Sequence, residues 1–236
     1  MAQLKGSDRS RYVSNMFSAI AKRYDLLNTI ISLGQHWIWR KKTISISTID
    51  ISGRVLDVAT GTGDMAILLS KNPKFTSIIG LDFTPEMISI ARKKSKQINN
   101  KLSYLVADSH NLPFPQSTFN LVTVAFGIRN FIDIEKSLNE IKQTLCEGGK
   151  ITILEIVKSS SESPLTKLFG YYFKNVVPLF GLIFAGNKSA YQYLPESVNS
   201  FITCDEIEHL MKKSGFSNIT TQSMSFGSVA IISGKK

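Results

Sequence analysis

A short run of glycines and aspartates carries the first chemical signal in this sequence. In Val55-Leu56-Asp57-Val58-Ala59-Thr60-Gly61-Thr62-Gly63-Asp64, two glycines fall between a β-rich run and a helical one. Gly61 and Gly63 remove side chains where the backbone must turn tightly and approach a ligand. Asp82 ends the next β-rich run, 19 residues after Gly63. A carboxylate there accepts hydrogen bonds from both hydroxyls of a ribose. Asp108 and Ser109 end the third run. The carboxylate of Asp108 suits the amino group of adenine, and the Ser109 N–H suits its ring.

Glycines alone do not choose between nucleotides. Gly61-x-Gly63-x-x-Ala66 also satisfies the looser dinucleotide fingerprint, so an NAD-dependent oxidoreductase is a real alternative, as is a non-catalytic binding protein. Charge separates them. Asp57 and Asp64 flank the loop where a pyrophosphate would sit, and neither favours a dianion. Both suit the ammonium and sulfonium of S-adenosylmethionine. Asp57, Gly61, Gly63, Asp82, Asp108 and Ser109 are therefore the expected cofactor-binding residues.

The elements that must position these residues alternate. Strands are expected at Arg54–Ala59, Ser77–Asp82, Leu102–Ala107, Phe119–Phe126 and Lys150–Val157. Helices are expected at Met65–Lys71, at Thr84–Gln97 with Thr84 as N-cap and Pro85 first, and at Asp133–Cys146, capped by Gly148-Gly149. Near-continuous apolar strands alternating with helices predict an α/β doubly wound sheet, parallel and covered on both faces. The tail departs from this. After a helix at Asp205–Ser214, strands at Asn218–Phe226 and Ser228–Ser233 have almost no connection, so they pair antiparallel. An antiparallel last strand also argues against a dinucleotide fold.

The bulk numbers fit one domain over 1–236: 236 residues, of which 43% are hydrophobic. Residues 1–50 form a helical N-terminal extension, and 158–200 an aromatic-rich insertion. Cys146 and Cys204 lack metal or disulfide spacing, and no secretory signal opens the chain, so a cytoplasmic location is expected. The most apolar stretch, Leu168–Gly186, is broken by Lys174 and Pro178 and is too short to span a membrane. The net charge is +10, and residues 1–50 carry eight Lys/Arg against three Asp/Glu. That balance suits nucleic acid, an anionic membrane, an anionic ligand or simply a basic surface. No RNA-binding module or basic stripe is visible, so nucleic acid is not an expected partner.

Longer motifs bring a resemblance. They include Tyr24-Asp25-Leu26-Leu27-Asn28, Ser32-Leu33-Gly34-Gln35-His36, Trp39-Arg40, Leu112-Pro113-Phe114-Pro115, Ala125-Phe126-Gly127-Ile128-Arg129-Asn130 and Ala190–Ser197. With Val55–Asp64, the chain resembles the ubiquinone/menaquinone C-methyltransferases of the demethylmenaquinone methyltransferase type. The likeness covers nearly the whole chain. It implies a class I S-adenosylmethionine methyltransferase fold, a doubly wound seven-stranded sheet with an antiparallel last strand. It adds Thr62 to Asp82, Asp108 and Ser109 as cofactor contacts. Ala125 is Ser in some relatives, and a Pro-Asp pair usual in the family is missing from Phe201–Asp205.

The implied reaction moves a methyl group to a ring carbon of a prenylated quinol: demethylmenaquinol, or alternatively a polyprenyl methoxy-benzoquinol of ubiquinone biosynthesis. The quinol must be reduced, because a quinolate pushes electron density onto the carbon ortho to its oxygen. Arg129 is assigned electrostatic stabilisation of that anion, Asn130 orientation of the hydroxyl or a water, and His36 the role of titrating group. His110, Tyr24 and Tyr191 are weaker candidates. No metal is called for. The N-terminal extension and Val176, Val177, Leu179, Phe180, Leu182, Ile183 and Phe184 are expected to wall an apolar route for the prenyl tail. Peripheral contact with the inner face of the cell membrane is one expectation for these segments, and a homodimer interface is the other.

Overall fold

The computed structural model describes residues 6–98, 101–158, 171 and 202–236. Most of the aromatic insertion therefore lies outside the described residues, including Val176–Phe184 and the Tyr191-Gln192-Tyr193 motif.

Seven strands form one sheet in the order β3-β2-β1-β4-β5-β7-β6. They are β1 Gly53–Val58, β2 Phe75–Asp82, β3 Leu102–Val106, β4 Phe119–Ala125, β5 Leu145–Ile156, β6 Ser217–Met224 and β7 Val229–Lys235. The first five run parallel to one another, and β7 runs antiparallel to both β5 and β6. The expected doubly wound sheet with a reversed last strand is thus the observed one. Chain order reverses direction across β1, which lies between β2 and β4. Ligands of open α/β sheets bind at such a switch point, beyond the carboxyl ends of the strands.

Both faces are covered, which is why β1, β2 and β5 read as near-continuous apolar runs. On one face Val55, Ile78, Leu121 and Leu154 pack against the helices α1 Gly6–Ile20, α2 Tyr24–Ile31, α3 Gln35–Ser47, α4 Asp64–Ser70 and α5 Pro85–Lys94. On the other, Leu56, Val58, Val122 and Ile153 pack against α6 Ile134–Thr144 and α7 Cys204–Lys213. Residues 6–47 of the N-terminal segment hold α1 to α3 and a short 3-10 turn at Ala21–Arg23. α7 opens with a reciprocal cap, in which Thr203 accepts from the Glu206 N–H and the Glu206 carboxylate from the Thr203 N–H.

Two local expectations need correction. The helix expected over Asp133–Cys146 stops at Thr144, and Gly148-Gly149 does not cap it. Leu145 is fully buried and pairs with Phe119 as the first residue of β5, five residues earlier than expected. The glycines fall where the register slips between Phe119 and Leu121, so they absorb a bulge inside the strand. Thr84 does sit at the N-cap of α5, but its side chain makes no capping bond. The Asp82 carboxylate accepts the Thr84 N–H instead, at 2.9 Å.

Candidate active site

A cleft opens at the carboxyl ends of β1 to β4, enclosing about 870 Å³ of space open to solvent. Its floor is the turn after β1, and its sides are the segments following β2, β3 and β4. Val13 and Phe17 of α1, Tyr24 of α2 and Arg40 of α3 close it from above. The extension read as a separate feature of the sequence is therefore part of the cleft.

The turn needs its glycines for different reasons. Gly61 has φ +56, and an added Cβ would meet nothing nearer than Tyr24 at 4.0 Å, so its surface is left open to the cleft. Gly63 has φ +86, and an added Cβ would stand 2.5 Å from the Tyr104 hydroxyl. Gly61 faces the ligand space; Gly63 lets β3 pack behind it.

The aspartates divide in the same way. Asp82 lines the cleft and is buried. One oxygen accepts the Gly61 N–H and the other the Thr84 N–H, both at 2.9 Å. Burial raises its pKa above the ordinary carboxylate value, against the pull of these backbone N–H groups. Each oxygen keeps a further lone pair for a ligand. Asp108 lines the opposite side with its carboxylate exposed. It accepts the His110 N–H at 3.0 Å and lies 2.6 Å from His110 Nδ1, while His110 Nε2 accepts the Asp133 N–H. Ser109 is buried beside it, with its hydroxyl 3.1 Å from that of Ser137.

Asp57 and Asp64 do not line the cleft, and the charge argument built on them must be corrected. Asp57 lies in a strand covered on both faces. Its oxygens accept the hydroxyls of Thr60 and Thr123, each at 2.6 Å, so it braces the turn against β4. Burial pushes its pKa up to about 6. Asp64 is buried against Lys94 at 2.5 Å, with Arg40 3.9 Å away. Lys94 also bonds Asp25 of α2 at 2.7 Å. Thr62 does line the cleft, but its hydroxyl donates to Asp25. The carboxylates left facing the cavity among the described residues are Asp82 and Asp108.

Arg129, Asn130 and His36 are not brought together, although the weaker candidates Tyr24 and His110 both line the cleft. Asn130 lines the cleft. Arg129 does not: it turns behind the wall, and its guanidinium is buried against the fully buried Glu155. Burial raises the Glu155 pKa and the arginine opposes it. The Arg129 charge nonetheless favours the anionic form of Tyr24, whose pKa burial raises. His36 is buried on α3, outside the cleft lining, with Nδ1 2.7 Å from the Ser32 hydroxyl. Burial, reinforced by Arg40, lowers its pKa to about 4.

Reading the sequence missed Arg40 as a site residue. It lies over the Phe126 ring at 5.0 Å on the cleft wall. The signal was periodicity: His36, Trp39, Arg40, Thr43 and Ser47 form the buried face of α3. A cation recurring at core spacing marks a charge that the fold has to bury.

These features fit an adenosyl amino acid. Two carboxylates suit ribose hydroxyls and an adenine amino group, Leu81 and Met87 suit apolar surface, and the guanidinium of Arg40 suits a carboxylate. Two acidic groups against one cation among the described lining residues do not suit a diphosphate. Fold and site define an S-adenosylmethionine-dependent methyltransferase. The chain belongs to the ubiE/COQ5 methyltransferase family, whose model matches residues 4–236.

It is 39% identical to a demethylmenaquinone methyltransferase of Thermus thermophilus over 216 residues, which is 92% of this chain and 97% of that protein. It is 40% identical to a ubiquinone/menaquinone biosynthesis C-methyltransferase of a Geobacter species, covering 98% of each chain. Among solved structures, Haemonchus contortus phosphoethanolamine N-methyltransferase 2, in complex with S-adenosyl-L-methionine, superimposes with a TM-score of 0.62 at 18% identity, covering 85% of this chain and 52% of that one. The cyclase SpnF superimposes with a TM-score of 0.70 at 13% identity, covering 95% of both. At these identities the likeness shows the fold alone.

Proposed function

We propose that this chain methylates a ring carbon of a prenylated quinol, with demethylmenaquinol as acceptor and menaquinol as product. The observation that carries this reading is likeness along nearly the full length to relatives named for that reaction. S-adenosyl-L-methionine supplies an electrophilic methyl group when bound. Asp82, Asp108, Ser109, Gly61 and Thr62 are the residues that hold it. Asp57 and Gly63 act from behind the turn, one as a brace and the other by admitting Tyr104.

On the acceptor side, Asn130 orients the quinol hydroxyl. A tyrosine is protonated near neutral pH, and burial raises the Tyr24 pKa further, so its hydroxyl is a donor for a developing oxyanion. Arg129 adds positive potential from behind the wall and fixes the Gly127–Asn130 turn through Glu155. His36 does not suit proton removal. A base with a pKa of about 4, set back from the wall, is weak against a phenol whose pKa is about 10.

The α2–α3 hairpin supports a peripheral membrane contact. Leu26, Leu33, Trp37 and Ile38 are exposed there, with Leu33 at 73% exposure on the connecting turn. Lys22, Arg23, Lys41 and Lys42 are exposed on the same segment, an arrangement that suits an anionic leaflet carrying a prenylated substrate. No helix among the described residues is long and apolar enough to cross a membrane. Liposome flotation of a Leu33→Glu/Ile38→Glu variant tests this. Lipid binding equal to the wild type sinks the contact, and an altered oligomeric state makes the patch a dimer interface.

The reaction itself is tested with labelled S-adenosylmethionine and separate demethylmenaquinol and methoxy-benzoquinol acceptors, with products read by mass spectrometry. Label on the naphthoquinol ring is expected. Label on the benzoquinol alone moves the chain to the ubiquinone pathway, and transfer to RNA alone overturns the quinol reading.

A further inference from the structure

We propose that Arg40 is the group that holds the methionyl carboxylate of S-adenosylmethionine. The proposal rests on the cofactor reading of the cleft and adds a residue that the glycine motif does not contain.

Arg40 is 5% exposed, yet it forms part of the cleft wall. Its Nε and Nη1 are sealed from solvent and have no hydrogen-bond partner. Its carboxylate neighbour, Asp64, is 3.9 Å away, beyond hydrogen-bond distance, and is held more closely by Lys94 at 2.5 Å. The Phe126 ring covers one face of the guanidinium. Arginine does not discharge in a protein, so this is a permanent buried cation with N–H groups to spare. The other charged side chains of the lining, Asp82 and Asp108, already accept backbone N–H groups. With Asp64 shared between Arg40 and the closer Lys94, a ligand anion on the cleft side completes the pairing.

Two occupants of the site carry an anion. An amino-acid carboxylate is ionised throughout the neutral range, its pKa being about 3.5. A quinol hydroxyl is neutral until it loses its proton, with a pKa of about 10. Of the two, only the carboxylate brings Arg40 a further anion in the resting complex. The placement also fits, because Arg40 stands beside Asp64, the first residue of α4, immediately after the Gly61–Gly63 turn.

The test is calorimetric and needs no turnover. S-adenosylhomocysteine keeps the carboxylate; 5′-methylthioadenosine keeps the adenosine and lacks the amino-acid end. Arg40→Met should weaken S-adenosylhomocysteine by about ten- to a hundredfold while leaving methylthioadenosine unchanged, and Arg40→Lys should recover part of the loss. Equal weakening of both ligands, or of neither, overturns the assignment. So does unchanged S-adenosylhomocysteine binding with a raised KM for the quinol, which would make the anion the quinolate. A second measurement needs no variant: the wild type should bind S-adenosylmethionine at least about tenfold more tightly than its decarboxylated analogue. Equal affinities refute the carboxylate contact. Failure of the wild type to bind either adenosyl ligand overturns the cofactor reading itself, and this proposal with it.

Discussion

The Asp82 carboxylate at the end of β2 accepts the N–H of Gly61, in the turn after β1, at 2.9 Å. One side chain therefore shapes the glycine turn and also faces the cleft. The two jobs are linked. Removing the carboxylate frees the turn and deletes the acceptor in a single step.

Asp82→Ala should weaken S-adenosylhomocysteine binding by about ten- to a hundredfold, the loss expected for hydrogen bonds to a charged group. Asp82→Asn should not rescue it, because an amide in either orientation turns an NH2 toward one of the two backbone N–H groups. Calorimetry decides the matter, and wild-type affinity in either variant would remove Asp82 from the site.

Lys94 ties three elements together, reaching Asp25 on α2, Asp64 on α4 and the Thr62 hydroxyl from its own place on α5. The Asp25 side chain is 38% exposed and that of Asp64 only 5%. The partners should therefore differ in value. Asp25→Asn should cost less than about 1 kcal/mol, as exposed ion pairs do. Lys94→Met leaves Asp64 buried without its close partner and should cost about 1–2 kcal/mol, a figure reduced for the partial exposure of the lysine. Urea melts of the two variants give the comparison, and the reverse ranking would contradict the network.

How much of this was legible beforehand varied with the range of the cause. The glycine turn and Asp82 stood out because local backbone demands and a strand end mark them in the chain itself. Asp57 reads as a ligand for the same reason, yet it braces the turn. Its partner Thr123 lies 66 residues away on β4, and only the strand order brings the two together. Arg129 and Asn130 are adjacent in sequence, but a short helical turn sends one behind the wall and the other onto it. Leu145 continues the helical spacing of Ile134, Leu138 and Ile141, so periodicity assigns it to α6, whereas pairing with Phe119 claims it for β5. Arg40 was visible as a cation at core spacing, but which cavity it bordered depended on how α3 lies across the sheet.

His36 and Asp57 should give the protein opposing responses to acid. Burial holds His36 at about 4, below its ordinary value of 6.5. The unfolded chain takes up that proton as pH falls through 6.5 and the folded chain does not until about 4, so stability is lost across this window. Asp57 is raised by burial from 3.8 to about 6, so the folded state protonates first and gains stability as pH falls from about 6 to 3.8. Single variants unmask each term. The destabilisation caused by His36→Gln should be smaller near pH 5 than near pH 7.5, by up to about 2 kcal/mol; that caused by Asp57→Asn should be larger by about 1 kcal/mol. Denaturant melts at both pH values test the signs. Penalties independent of pH would mean that neither group is held as the structure implies.

Arg129 is both a structural cation and the proposed source of positive potential at the acceptor, and the Glu155 pair allows the roles to be separated. Glu155 is fully buried and accepts from the Arg129 guanidinium and from the Arg129 and Ile156 N–H groups. Arg129→Met alone strands that carboxylate and should cost about 3–5 kcal/mol. Arg129→Met/Glu155→Leu removes both charges, and apolar replacement of a buried pair is often close to neutral, so most of the stability should return. Turnover should not return with it. The Arg129 charge favours the anionic form of Tyr24 across the cleft, and a developing quinolate beside Asn130 would feel the same field. In the double variant kcat at saturating cofactor should therefore remain about tenfold down, a conservative figure for a charge acting from behind the wall. Full recovery of kcat alongside stability would show that the arginine only fastens the Gly127–Asn130 turn.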